Sequence, residues 1–126
     1  MDTNAKILIV DDMQTMRRLL KSALNDLGYA NVTDVDGGKA ALAMLESGDF
    51  ELLITDWNMP EMNGLEFVTR FRNESKQPDA KVMMVTTETA VDQMVKALEA
   101  GADEYIMKPF TREAIVDKLR LLGVVD

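Results

Sequence analysis

Leu52-Leu53-Ile54-Thr55-Asp56-Trp57-Asn58-Met59-Pro60 passes from unbroken apolar to ionisable with no helical spacing. The run Leu52–Ile54 suits a strand buried on both faces, as the strands of a parallel sheet are. Asp56 follows where that strand ends, next to the only tryptophan, and Pro60 stops regular structure. An ionised carboxylate beside a buried strand is costly unless something compensates it. The remainder of the chain has to supply that compensation.

The same pattern recurs on either side. Lys6–Val10 is a β-branched run that stops at Asp11-Asp12. Asn31–Val35 is a weaker strand, expected near a sheet edge, with Asp36 expected to cap the helix after it. Lys81–Val85 runs into Thr86-Thr87, and Glu104–Met107 into Lys108-Pro109. Between these strands lie helical periodicities. Met16, Leu19, Leu20, Ala23, Leu24 and Leu27 form one stripe closed by Gly28. Ala41, Leu42 and Leu45 mark a second helix, and Leu65, Val68 and Phe71 a third after the Asn63-Gly64 turn. Val91, Met94, Val95 and Leu98 share a face of a fourth, with Thr89 and Asp92 spaced as a capping box. Ile115, Val116, Leu119 and Leu122 define a fifth, capped by Thr111. Five strand–helix units predict an α/β fold, an open parallel five-stranded sheet with helices on both faces. No internal sequence repeat accompanies them.

At 126 residues the chain is the size of one domain, 1–126, able to bury roughly two-thirds of its unfolded surface. It has no Cys and no His, which excludes disulfides, thiolate or imidazole zinc sites and Ser-His-Asp catalysis. The net charge of −8 argues against nucleic-acid binding. Ile7–Val10 is too short for a signal sequence or a membrane span. A soluble, cytoplasmic protein is expected.

In an open parallel sheet, functional groups gather beyond the C-terminal strand ends. Here those ends carry Asp11 and Asp12, Asp56, Thr86 and Lys108. Singly, each has a plain explanation as a turn, a cap or a solvated charge. Together they are three carboxylates, a hydroxyl and an ammonium brought to one edge. Three carboxylates repel one another unless cations intervene. Oxygen-only donors suit a hard ion such as Mg²⁺. A metal, a lysine, a hydroxyl and an in-line nucleophile are also what phosphoryl transfer uses, with Asp56 the natural acceptor. Asp36-Gly37-Gly38-Lys39-Ala40 resembles a P-loop but lacks its first glycine and its metal-binding hydroxyl, and reads as a turn into a helix. The ten methionines read as core filling, with Met59 and Met62 as candidate exceptions.

This constellation resembles the receiver domain of two-component response regulators over essentially the whole chain. Thr55–Pro60 and Tyr105-Ile106-Met107-Lys108-Pro109-Phe110 narrow the resemblance to single-domain chemotaxis regulators of the CheY type. The resemblance implies a flavodoxin-like sheet of order 2-1-3-4-5. It implies that Asp56 accepts phosphate from a histidine kinase, and that Mg²⁺ is held by Asp12, Asp56 and the backbone carbonyl of Asn58, with Asp11 acting through water. Thr86 would move toward the phosphoryl oxygens, Lys108 would pair with them, and Tyr105 would rotate between exposed and buried states. The Lys108–Pro109 bond would be cis. A monomer is implied, with the fourth helix, fifth strand and fifth helix as readout face. A flagellar motor switch protein would be the target and a phosphatase a further partner. The protein would be a signalling switch and not an enzyme beyond its own phosphotransfer and dephosphorylation. Two departures stand out. Thr86-Thr87-Glu88-Thr89-Ala90-Val91-Asp92 lacks the lysine pair of those regulators, and Thr87 and Met13 are placed to shield Asp56.

Two rivals share parts of this pattern. A haloacid-dehalogenase-type phosphatase uses an Asp nucleophile with Mg²⁺, Thr and Lys, but needs a second Asp where Asn58 stands. A flavodoxin-like FMN carrier would need an uncharged phosphate loop where Asp11-Asp12 lies.

Overall fold

Strand and helix alternate throughout the computed structural model, which describes residues 3–87 and 91–123. The order is β1 (Ile7–Val10), α1 (Gln14–Asp26), β2 (Val32–Val35), α2 (Gly38–Ser47), β3 (Leu52–Asp56), α3 (Gly64–Glu74), β4 (Lys81–Thr86), α4 (Val91–Ala100), β5 (Glu104–Met107) and α5 (Arg112–Leu121). The strands form one parallel sheet ordered β2-β1-β3-β4-β5, so the weakest strand does lie at an edge. Among the described residues no helix is long and apolar enough to cross a membrane.

The period of two along each strand divides the core. Leu8, Val10, Leu53, Val82 and Met84 face α2, α3 and α4, meeting Leu45, Phe67 and Phe71. Ile7, Ile9, Leu52, Ile54 and Val85 face α1 and α5, meeting Leu20, Leu24, Ile115 and Leu119. Both faces of β1 and β3 are therefore buried, as their unbroken apolar runs require. Parallel pairing carries β3 two residues beyond the apolar run Leu52–Ile54. Asp56 pairs with Val85, and the Trp57 N–H continues the ladder to the Val85 carbonyl at 3.0 Å.

Helix ends follow local chemistry with one correction. Asn63 Oδ1 accepts the Glu66 N–H at 2.8 Å, and Thr111 Oγ1 accepts the Ala114 N–H at 3.1 Å. Asp36 does not cap α2. The chain stays extended through Gly37, which is the N-cap, and no side chain caps this helix. The first backbone bond runs from the Ala41 N–H to the Gly37 carbonyl, one residue too late for the Asp36 side chain to reach. The expected Thr89 cap lies outside the described residues.

Gly28 (φ +99) ends α1 in the left-handed region that favours glycine. Leu19, at the rim of the α1 stripe, is exposed, because Leu20, Ala23 and Leu24 already fill the sheet contact. Met59 and Met62 are buried in the core and are not surface exceptions. α4 is the least rooted helix. Ala97 is its only fully buried residue, whereas Val91, Val95 and Leu98 are exposed. Its C-terminal end is pinned by Arg72, which donates to the Gly101 carbonyl at 3.1 Å, to the Ala80 carbonyl at 2.8 Å and to Asp103 at 3.0 Å.

Candidate functional site

Parallel strands all point their C-terminal ends the same way, so Asp11, Asp56, Thr86 and Lys108 converge by topology. Carboxylate oxygens of Asp11, Asp12 and Asp56 lie within 4.8 Å of one another. Asp11 and Asp56 are buried and Asp12 is exposed.

Asp11 is held on nearly every side. Its N–H donates to the Val35 carbonyl at 3.2 Å, and its own carbonyl accepts from Arg17 Nη1 at 2.7 Å. Its Oδ1 accepts the Met13 N–H at 2.9 Å. Its Oδ2 is buried without a hydrogen-bond partner, with the Lys108 ammonium 3.6 Å away. On Asp56, Oδ1 accepts both Lys108 Nζ at 3.1 Å and the Trp57 N–H at 2.9 Å. Lys108 follows β5 directly. Its backbone N–H donates to the Thr86 carbonyl at 2.7 Å, and the Lys108–Pro109 peptide is cis.

Thr86 is buried, and it lies two residues beyond Met84 on the sheet face that also carries Tyr105. Tyr105 is buried in that core layer. Asn58 is exposed, and its amide donates to Thr87 Oγ1 at 3.4 Å, joining the loops after β3 and β4. Met13 is also exposed, its side chain turned at least half to solvent (53 %).

Two contributors are not visible as site residues in the sequence. Gly64 reads there only as half of an Asn-Gly turn. In the structure its N–H donates to the Trp57 carbonyl at 2.7 Å, and a Cβ added to it would stand 2.1 Å from the Asp56 carbonyl oxygen. Arg17 falls beside the apolar stripe of α1 and carries no signal in periodicity at all.

Burial raises the pKa of both Asp11 and Asp56 above the usual carboxylate value. At Asp11 the Met13 N–H works against burial and the Asp56 charge with it; at Asp56 the Lys108 ammonium is the main opposing influence. A carboxyl whose folded pKa is raised binds its proton more tightly folded than unfolded. In chelator, the contribution of these two carboxyls to stability is therefore fully present below the ordinary pKa of 3.8 and is lost as pH rises through their raised folded values. Asp11→Asn keeps the acceptor for Met13 and removes a buried negative charge crowded by Asp56. It is expected to stabilise the chelated protein at pH 7 by about 1–2 kcal/mol, a rise of several degrees in Tm, and to flatten the pH dependence. Thermal melts in EDTA across pH 4–8 measure this. A variant that melts lower than the parent at pH 7 contradicts it.

One lysine among three carboxylates leaves two negative charges uncompensated. The orphaned Asp11 Oδ2 and the all-oxygen donor set fit a hard divalent cation.

A match to the model of the response regulator receiver domain covers residues 7–120, and the chain belongs to that family. Receiver domains use Mg²⁺ at an acidic pocket, the role for which this aspartate cluster is suited. Within the family the chain is of the CheY type. It is 46% identical over 114 residues to the chemotaxis protein CheY of Pseudomonas aeruginosa, covering 90% of this chain and 92% of the relative. It is 44% identical over 123 residues to CheY1 of Helicobacter pylori strain 26695, covering 96% and 99%. The solved structure of Vibrio cholerae CheY4 superposes with a TM-score of 0.87 at 34% identity, covering 94% of this chain and 98% of that one. CheY-type regulators are signalling proteins and not conventional enzymes.

Proposed function

We propose that the protein is a phosphorylation-activated switch in chemotaxis, with Asp56 as phosphoacceptor. The observation that carries this is the gathering of Asp11, Asp12 and Lys108 around Asp56 with negative charge left over. In this reading Asp12, Asp56 and the Asn58 carbonyl bind Mg²⁺ directly and Asp11 acts through water. The bound cation supplies charge neutralisation to the phosphoryl oxygens. An Asp56 carboxylate oxygen attacks the phosphorus of a phosphohistidine on a partner kinase. The P–O bond forms as the P–N bond breaks, and the imidazole leaves with the electron pair and takes a proton from water. The Lys108 ammonium, already 3.1 Å from Asp56 Oδ1, holds the carboxylate in place and then pairs with a phosphoryl oxygen.

Thr86 then hydrogen-bonds the new phosphoryl group. Its movement repacks the sheet face that it shares with Tyr105, which biases α4, β5 and α5 toward a binding-competent state. The exposed apolar residues Val91, Val95, Leu98 and Met107 suit such a readout surface. The names of the relatives point to chemotaxis, and the resemblance to CheY-type regulators favours a flagellar motor switch protein as target. The absence of a lysine pair at the start of α4 leaves room for a variant of that surface. A monomer in the cytoplasm, served by a histidine kinase and a phosphatase, completes the reading. Chemistry beyond one phosphoryl group per chain is limited to its own dephosphorylation.

Trp57 makes the test direct, since its backbone N–H touches the Asp56 carboxylate. Mg²⁺ titrated into the chelated protein is expected to change Trp57 emission. A small phosphoryl donor added next is expected to change it again and to add one base- and hydroxylamine-labile phosphoryl group by mass. Continuous turnover of the donor with no covalent intermediate, or silence toward both reagents, would refute the reading.

A further inference from the structure

The turn that follows β1 is fixed by a side chain that belongs to neither the carboxylate cluster nor the core. Arg17 lies on α1 with its side chain only 15% exposed. Its Nη1 donates to the Asp11 carbonyl at 2.7 Å, and its Nε donates to Asp34 Oδ2 at 2.9 Å. Asp34 lies on the edge strand β2, opposite Ile9, and its other oxygen takes Lys21 Nζ at 3.4 Å. The guanidinium thus spans the edge strand and the Asp11-Asp12 turn. A rigid fork can hold two acceptors at a fixed separation in a way a flexible ammonium cannot.

With the carbonyl, N–H and Oδ1 of Asp11 each engaged, Oδ2 is its one oxygen without a hydrogen bond. The charge of Arg17 has the wrong sign to help: a cation close to a cation site repels what the site is to bind. What Arg17 offers the site is geometry.

We propose that Arg17, oriented by Asp34, is a positioning residue for the divalent-cation site, setting the Asp11-Asp12 turn so that the two carboxylates face one ion. The proposal rests on reading the aspartate cluster as that site. Partners that orient metal ligands without touching the metal are typically worth about 10–100-fold in affinity.

The test is a Mg²⁺ titration of the full chain followed by Trp57 emission, with thermal melts in EDTA run alongside. Arg17→Gln is expected to bind Mg²⁺ about tenfold more weakly. Simple loss of a repelling charge predicts the opposite sign, tighter binding, so the direction of the change is decisive. Arg17→Lys keeps the charge and is expected to fall between parent and Arg17→Gln, because one ammonium cannot serve both acceptors. Asp34→Ala is expected to weaken binding in the same direction, and Arg17→Gln with Asp34→Ala to be no weaker than Arg17→Gln alone. Leu45→Ala, a core truncation at the opposite end of the sheet, controls for destabilisation and is expected to leave Mg²⁺ affinity unchanged.

Unchanged or tighter binding in Arg17→Gln overturns the proposal. If that variant does not fold, unchanged binding in Arg17→Lys overturns it instead. A parent that ignores Mg²⁺ overturns the cation-site reading and this proposal with it. A responsive parent with indifferent Arg17 variants overturns this proposal alone.

Discussion

Asp56→Asn is expected to lose phosphoryl uptake outright, a fall of about 10³-fold or more in the rate of covalent labelling by a small phosphoryl donor with Mg²⁺. An amide has no anionic oxygen to attack phosphorus, yet it has the shape of the carboxylate. Its carbonyl oxygen can still accept the Trp57 N–H and the Lys108 ammonium, the two bonds that hold Asp56 Oδ1. The variant also removes a buried charge crowded by two other carboxylates, so the fold is not what suffers. Melting in chelator at or above the parent's temperature is the accompanying expectation. Lost labelling in a protein that melts well below the parent would be uninformative about the acceptor, which is why the melt belongs to the measurement. Labelling of Asp56→Asn at the parent's rate would place the acceptor elsewhere.

Gly64→Ala carries the largest expected loss of stability. The added methyl would stand 2.1 Å from the Asp56 carbonyl oxygen and 2.9 Å from the Trp57 Cα, both backbone atoms. Neither can swing aside as a side-chain tip would, because Asp56 is paired within β3 and the Trp57 N–H is bonded to Val85. The first turn of α3 must back away instead, giving up the bond from the Gly64 N–H to the Trp57 carbonyl. A cost of about 3 kcal/mol or more follows, roughly 10 °C in Tm for a chain of this size. Gly37→Ala is the matched control, since a Cβ there meets nothing within 4 Å. Its melt should lie within about 4 °C of the parent's, the small cost of alanine at an N-cap. If Gly64→Ala melts that close to the parent, the close approach is not what the glycine is for.

The fold was legible because each strand buried on both faces announced itself as a continuous apolar run. Lys6–Val10 and Leu52–Thr55 could not be half-exposed strands, and their chain neighbours had helical spacing. The polar residues at the strand ends then became a site through topology alone. What could not be read came from contacts with no periodicity. Arg17 looks like any solvated arginine until β2 brings Asp34 beside it. Gly64 looks like a turn residue until α3 packs down on β3. The error at Asp36 has the same origin, since one extended glycine moved the start of α2 beyond that side chain's reach. Leu19 shows the converse, a stripe wider than the sheet had room for.

In the proposed switch, the shallow seating of α4 would set the energy scale on which a signal acts. Burying one methyl-sized side chain is worth about 1 kcal/mol, and Ala97 is the only residue of α4 that is fully buried. Moving α1, which buries Leu20, Ala23 and Leu24, would cost several times as much. Each ~1.4 kcal/mol is a tenfold change in a population ratio. A helix with so little at stake can therefore be redistributed between positions by one or two hydrogen bonds' worth of free energy. With its far end held by Arg72 through the Gly101 carbonyl, such a redistribution would pivot near Gly101, with its longest throw at the Val91 end.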